Sequence, residues 1–194
     1  MAGELVLCLG DRVATPHSLP LLLLDVDGVL LPVRDNNVSG GYYQPAADFR
    51  SVSMTHWDSG HMQEIWVSSA NTDRLRLLGK RFEIVWATGW RQHANEVIAP
   101  LHGLPNLPVI ELAWSEHLRT LETSWKLPAI SEYVGDRPCV WIDDHVREDV
   151  ELWAHERDSP TLVLHVDHQT GLTDVHLDRA LRFAAGLALA QPQT

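Results

Sequence analysis

The chain has 194 residues, of which 45% are hydrophobic, and it carries a formal net charge of −11 at pH 7. This length allows one sizeable buried core, and we expect a single domain over residues 1–194. The negative charge argues against long duplex nucleic acid or an anionic membrane as the main partner, because the field of the protein would repel both. A short nucleotide or a sugar phosphate is still compatible with it.

Neither export nor membrane insertion is predicted. The apolar run at residues 19–24 is far too short to span a bilayer, and the N-terminus lacks the basic start and small-residue cleavage site of a signal peptide. We therefore expect a cytoplasmic protein with no membrane partner. The oligomeric state is left open by the sequence.

The first strong element is a strand predicted at residues 21–26, with Asp25 and Asp27 at its end and Gly28 directly after them. Side chains alternate along a strand, so both carboxylates are expected on the same side, and Gly28 allows a sharp turn. Two anions this close need either a bound cation or a shared proton. Both situations are more typical of active sites than of packing.

Residues 31–69 differ from the rest of the chain, because they are rich in glycine, asparagine, serine and aromatic residues. Two strand-like pieces at 49–54 and 64–68 predict a β-hairpin flap inserted after the first strand. A segment of this size is long enough for a flap but too short for a further folded domain.

Beyond the flap, short apolar runs alternate with helical patterns, which predicts an α/β fold with a three-layer, doubly wound parallel sheet. Asn71 or Thr72 is expected to cap the first helix, Gly103 and Pro105 to stop the second, and Gly135 to end the third. The predicted strands are 21–26, 82–87, 108–112, 139–142 and 161–166, and the predicted helices are 72–80, 91–101, 125–134, 147–156 and 173–187.

Further polar residues follow the later strands, at the edge where open parallel sheets build their sites. Thr88 and Gly89 come after the second strand, and Asp143 and Asp144 end the fourth. Lys126 opens a predicted helix and is one of only two lysines in the chain. Since arginine supplies most of the positive charge elsewhere, a lysine here indicates that a compact ammonium is needed.

Each of these motifs has a simpler explanation when it is taken alone. Thr88 or the Asp143–Asp144 pair could cap a helix, and Lys126 could be a solvated residue of a first turn. The Asp25–Asp27 pair could also be the metal-binding motif of a nucleotide-sugar transferase, but that reading explains neither Thr88 nor Lys126. The ordered set favours phosphoryl chemistry.

The order Asp-x-Asp-Gly, Thr-Gly, Lys and Asp-Asp resembles the four motifs of the haloacid dehalogenase (HAD) superfamily, whose sheets are Rossmannoid. Within it, residues 85–90, 141–144 and 170–173 resemble the small HAD domains of Swiss-Army-knife RNA-repair-like proteins. The resemblance covers almost the whole chain. It implies a Mg²⁺-dependent phosphatase that acts on a small phosphorylated molecule or a nucleic-acid end.

The resemblance also implies a role for each matching residue. Asp25 would be the nucleophile that forms an aspartyl-phosphate, and Asp27 the general acid and then the base. Mg²⁺ would lie between Asp25, the backbone carbonyl of Asp27 and the acidic pair, with Asp144 as the expected direct ligand and Asp143 as a second ligand or its orienter. The expected phosphate-binding groups are Thr88, Gly89 and Lys126, and the expected substrate contacts are Trp90 and His145.

A non-catalytic HAD-like module that binds a phosphorylated ligand or partner is the competing hypothesis. It would use the same cleft, but it has no chemical reason to keep an acid/base carboxylate at Asp27. The complete set of motifs therefore favours an enzyme.

Overall fold

The computed structural model describes residues 19–33, 48–56, 59–113 and 123–190. Four parallel strands form its central sheet in the order β4-β1-β5-β6, consisting of β1 (Leu21–Leu24), β4 (Glu83–Trp86), β5 (Cys139–Asp143) and β6 (Thr161–His165). All four residues of β1 are completely buried, as an apolar run between two parallel neighbours requires.

Helices cover both faces of this sheet, which confirms the predicted α/β class. Leu22 and Leu24 pack in one core with α1 (Ser69–Leu78) and α5 (Asp174–Ala190). Leu21 and Leu23 pack in a second core with α3 (Leu127–Val134) and α4 (Glu148–Glu156). The alternation of β1 side chains thus supplies both cores.

The predicted insertion contains a two-stranded antiparallel hairpin of β2 (Phe49–Thr55) and β3 (Met62–Ser68). One of its faces packs on the core through Met54 and Ile65, so the hairpin is anchored to the domain. It leads directly into α1, whose N-cap is Ser68, with Oγ accepting from the Ala70 amide. The predicted caps Asn71 and Thr72 were therefore too late by about one turn. The rest of the predicted flap, at residues 34–47 and 57–58, lies outside the described residues.

Two further predictions about the elements were wrong. Residues 108–112 do not form a full fifth strand, since Val109 makes only an isolated parallel bridge to Trp86. Pro108 has no amide hydrogen to donate to a ladder, which confines this segment to the sheet edge. Residues 91–101 do not form one α-helix, because Arg91 has a left-handed φ of 50° and helical structure begins only with a π-helical turn at Ala94–Ile98, followed by the short α2 (Ala99–Leu101).

No helix among the described residues is long and apolar enough to cross a bilayer. The prediction of a cytoplasmic location stays a prediction.

Candidate active site

The candidate site lies where β1 and β5 end side by side. Leu24 pairs with Ile142, and the Asp25 amide donates to the Ile142 carbonyl at 3.1 Å. Parallel strands place their carboxyl ends at the same edge, so Asp25 and Asp143 become neighbours although they are far apart in the chain. Both are buried, at 5% and 1% exposure.

Lys126 lies between these two carboxylates. Its Nζ donates to Asp25 Oδ2 and to Asp143 Oδ2, both at 2.6 Å, and only 7% of the side chain is exposed. Lys126 precedes the first residue of α3, and the preceding loop is held where the Ser124 amide donates to Asp149 Oδ2 at 2.7 Å. The lysine is therefore a fixed, buried cation between the two carboxylates.

Asp143 has donors on both of its carboxylate oxygens. Oδ2 accepts from Trp141 Nε1 at 3.1 Å in addition to Lys126, and Oδ1 accepts from the His145 amide at 2.8 Å. These contacts fix the orientation of Asp143. A carboxylate with these contacts is better suited to holding the lysine than to coordinating a metal ion.

Asp144 completes a cluster with Asp25 and Asp143, in which one carboxylate oxygen from each lies within 4.8 Å of the others. Gly28 makes room for this cluster, because a Cβ on Gly28 would overlap the Asp144 carboxylate. The donors are all hard oxygen atoms, which suit Mg²⁺ better than zinc, whose sites usually include nitrogen or sulfur. The residues present can therefore hold Mg²⁺.

Three other predicted positions lie at the same edge. Asp27 is half-buried, and its charge contributes to the electrostatics of Asp25, which places the two carboxylates near each other. Thr88 follows β4, beside β1, where the Ala87 amide donates to the Leu24 carbonyl at 2.9 Å. Next to it, Gly89 is exposed and has open space where a side chain would start. Thr88 itself is completely buried, so within this turn Gly89 is the residue that is open to solvent.

Trp90 and His145, the expected substrate contacts, occupy different environments. Trp90 is only 1% exposed, and its indole Nε1 donates to Asp27 Oδ2 at 3.0 Å. His145 is exposed at the edge of the acidic cluster, and Arg147 Nη2 lies 3.2 Å from His145 Nε2. His145 can therefore meet a substrate directly, whereas Trp90 faces the site through its N–H.

Residues 21–177 match the family model described as the HAD domain in Swiss Army Knife RNA repair proteins. The chain belongs to this HAD domain family. None of the curated proteins that were compared matches the chain. The match spans every site residue above, and it places this HAD domain in a superfamily of the phosphohydrolase type.

Sequence reasoning missed two contributors to the site of this HAD domain. Trp141 was expected only as part of the predicted strand 139–142, yet its indole Nε1 also donates to Asp143. The signal was present, since Trp141 and Asp143 are two residues apart on one strand and so share a face. Asp149 could not have been found, because its contact with Ser124 joins residues 25 positions apart.

Burial and mutual repulsion raise the pKa values of two acidic groups in the site of this HAD domain. Burial, which outweighs the neighbouring Lys126 ammonium, raises the pKa of Asp25 to about 7, with Asp143 and Asp27 adding to the rise. Burial and Asp143 raise the pKa of Asp144 to about 6. Burial alone would lower the pKa of Lys126, but the adjacent Asp143 and Asp25 carboxylates outweigh it and raise that pKa, so the lysine stays charged. A bound cation would relieve this excess of negative charge.

These shifts predict how Mg²⁺ affinity depends on pH. Because both pKa values are raised in the folded state, the metal-free fold loses stability as the pH rises through about 6 and 7. Mg²⁺ requires ionised carboxylates, so its affinity should increase by at least about tenfold from about pH 5 to about pH 8. Thermal unfolding at increasing Mg²⁺, repeated at both pH values, measures this. An unchanged affinity would contradict protonation of the cluster.

Gly28→Ala tests the space next to Asp144. The new Cβ would displace the Asp144 carboxylate, and we expect Mg²⁺ affinity to fall by about ten- to a hundredfold, as when metal ligands lose their orientation. Gly103→Ala is the matched control, because Gly103 also has a positive φ, of 63° against 69°, but open space around it. A Mg²⁺ titration followed by the melting temperature measures both variants. Equal affinities would show that Asp144 is not the ligand displaced.

Proposed function

We propose that this HAD domain is a Mg²⁺-dependent phosphomonoesterase that works through an aspartyl-phosphate on Asp25. The observation that carries the proposal is the position of the Lys126 ammonium, 2.6 Å from both Asp25 and Asp143, within a cluster that also contains Asp144. Four carboxylates and one ammonium leave an anionic pocket that calls for a divalent cation. Such a pocket suits the transfer of a phosphoryl group.

The proposed mechanism begins with Asp25. Its carboxylate oxygen attacks phosphorus and forms an acyl phosphate, while the bond between phosphorus and the ester oxygen breaks. Asp27 gives its proton to the leaving oxygen, which departs as an alcohol. Asp27 then takes a proton from water, the water oxygen attacks phosphorus, and the Asp25 carboxylate is released together with inorganic phosphate.

The other residues stabilise charge during these steps. Lys126, which donates to Asp25, would neutralise the incoming phosphoryl group, and Thr88 and the Gly89 amide would donate to its oxygens. Asp144, Asp25 and the Asp27 carbonyl would hold Mg²⁺, and Asp143 would keep Lys126 in place. When bound, Mg²⁺ would neutralise the cluster and the phosphoryl oxygens.

For the substrate, we propose a phosphate monoester that is either a small molecule or a nucleic-acid end. The family description names RNA repair proteins, which supports including polynucleotide ends. His145 and Arg147 at the edge of the cluster supply donors for a neighbouring anionic group. The net charge of −11 weighs against long contacts with a polyanion.

The test is phosphate release from a panel of small monoesters and of oligonucleotides phosphorylated at the 3′ or the 5′ end, with and without Mg²⁺. Mg²⁺-dependent release from any of them supports the proposal. Release from small esters alone would remove the nucleic-acid end. Binding of phosphate analogues with no turnover on the whole panel would overturn the enzyme in favour of a binding module.

A further inference from the structure

The side chain of Trp90 makes a direct contact with Asp27 from within the core. The indole Nε1 donates to Asp27 Oδ2 at 3.0 Å, between residues 63 positions apart, and Trp90 is 1% exposed. The ring packs in the same core as Leu22 and Leu24 of β1 and the hairpin residues Met54 and Ile65. Because packing holds the ring, the direction of its N–H is fixed as well.

The turn after β4 gives Trp90 this position. The Trp90 amide lies 3.4 Å from Thr88 Oγ1, and the Trp90 carbonyl accepts from the His93 amide at 3.0 Å. The next residue, Arg91, has a left-handed φ of 50°, and its Nη2 donates to the Leu112 carbonyl at 3.2 Å. An uncommon backbone conformation of this kind persists where the surrounding contacts enforce it, and such positions cluster at functional sites. One turn thus presents both Thr88 and Trp90 to the site.

An indole N–H can donate a hydrogen bond but cannot accept one. When Asp27 is protonated, the bond that Oδ2 accepts favours Oδ2 as the carbonyl oxygen. The acid proton is then carried by Oδ1. It also stops the carboxyl group from rotating, because a turned Asp27 would leave a buried N–H without its partner. A hydroxyl in the same place could accept the proton and misdirect it.

We infer that Trp90 is a positioning residue that orients the Asp27 carboxyl for proton transfer to the leaving oxygen. The inference rests on the proposed function and deepens it, since it explains how a half-buried carboxyl keeps one orientation through catalysis. It also explains why a tryptophan is placed at the turn that carries Thr88. Trp90 itself does not contact the substrate in this role.

Trp90→Phe removes the N–H and keeps an aromatic ring in the core. If Trp90 acts through the acid, kcat/KM should fall by about a hundredfold for an alkyl phosphate, whose leaving oxygen needs a proton, and by no more than about threefold for p-nitrophenyl phosphate, whose leaving group does not. This constant covers the steps up to release of the alcohol, so later hydrolysis does not affect it. In an Asp27→Asn background, Trp90→Phe should cause no further loss.

Trp86→Phe is the matched control. Trp86 is also completely buried, and its Nε1 donates to Asn95 Oδ1 at 2.9 Å, away from Asp27. Any loss in this variant should be the same factor for both esters. The same equal loss in Trp90→Phe, with an active wild type, would overturn the role of Trp90 alone. Failure of the wild type on both esters would overturn the proposed function and the role with it.

A second measurement does not require Trp90→Phe to fold. In the intact protein, hydrogen exchange of the indole N–H of Trp90, followed by NMR, should accelerate at least about tenfold in Asp27→Ala, because its acceptor is gone. The indole N–H of Trp86 should exchange at the wild-type rate. Unchanged exchange at Trp90 would show that Asp27 does not hold it, and the inference would be wrong.

Discussion

Lys126→Met should unfold about 10 °C below the wild type in the absence of Mg²⁺ and should lose nearly all turnover. The side chain is 7% exposed, and its ammonium is the cation shared by Asp25 and Asp143. Removing one partner of a buried ion pair typically costs about 3–5 kcal/mol, because the remaining charge is left without compensation. Here two carboxylates lose their partner together, although protonation of one of them limits the cost.

Lys80→Met is the matched control, since Lys80 is the other lysine of the chain and is exposed. It should melt within about 1 °C of the wild type, as surface substitutions usually do. Melting followed by circular dichroism, together with phosphate release, measures both variants. If Lys126→Met and Lys80→Met have the same melting temperature, the Lys126 ammonium does not neutralise the site.

A second comparison separates the stability effect from the catalytic one. Adding Mg²⁺ should raise the melting temperature of Lys126→Met more than that of the wild type, because the divalent ion replaces part of the lost positive charge. Turnover should stay low at saturating Mg²⁺, since in the proposed mechanism Lys126 also neutralises the phosphoryl group. Recovery of full turnover by Mg²⁺ would limit the role of Lys126 to the stability of the site.

The acidic cluster was predictable because its residues lie at the ends of neighbouring strands. Asp25 and Asp143 each follow a short apolar run, and parallel pairing of β1 with β5 brings such ends together whatever the intervening length. Lys126 was indicated by residue type, because it is one of only two lysines in a chain whose other basic side chains are mostly arginines. In these cases a local pattern carried the information.

The parts that sequence reasoning missed depend on long-range packing. The contact of Trp90 with Asp27 spans 63 residues, and no local period indicates where a buried indole points its N–H. The positive φ of Arg91, which delays the helix after β4, is set by tertiary contacts and overrides an apolar spacing that fits a helix from residue 91. The absence of a full strand at 108–112 had a local signal, because Pro108 cannot donate to a strand ladder. The prediction gave more weight to the apolar residues that follow it.

Asp25→Asn should lower kcat by at least about ten-thousandfold and leave the fold intact, because an amide cannot act as the nucleophile toward phosphorus. Its effect on stability should be opposite to that of Lys126→Met. The substitution removes one buried negative charge from an anionic cluster, while Lys126 keeps Asp143 at 2.6 Å. The metal-free variant should therefore melt at or above the wild-type temperature around neutral pH.

Trapping the covalent intermediate is the most direct test of Asp25→Asn. Acid quenching during turnover should trap a wild-type protein heavier by one phosphoryl group, with peptide mapping placing it on Asp25, since acyl phosphates survive acid better than base. Asp25→Asn should show no such species, whereas Asp73→Asn, a change at an exposed aspartate paired with Arg76, should show it at the wild-type level.

A phosphorylated Asp25→Asn protein, or wild-type turnover with no covalent species under any quench, would exclude Asp25 as the nucleophile. The same carboxylates would then have to activate a water molecule directly, and the 2.6 Å contact between Lys126 and Asp25 would serve only to hold the metal ligands in place.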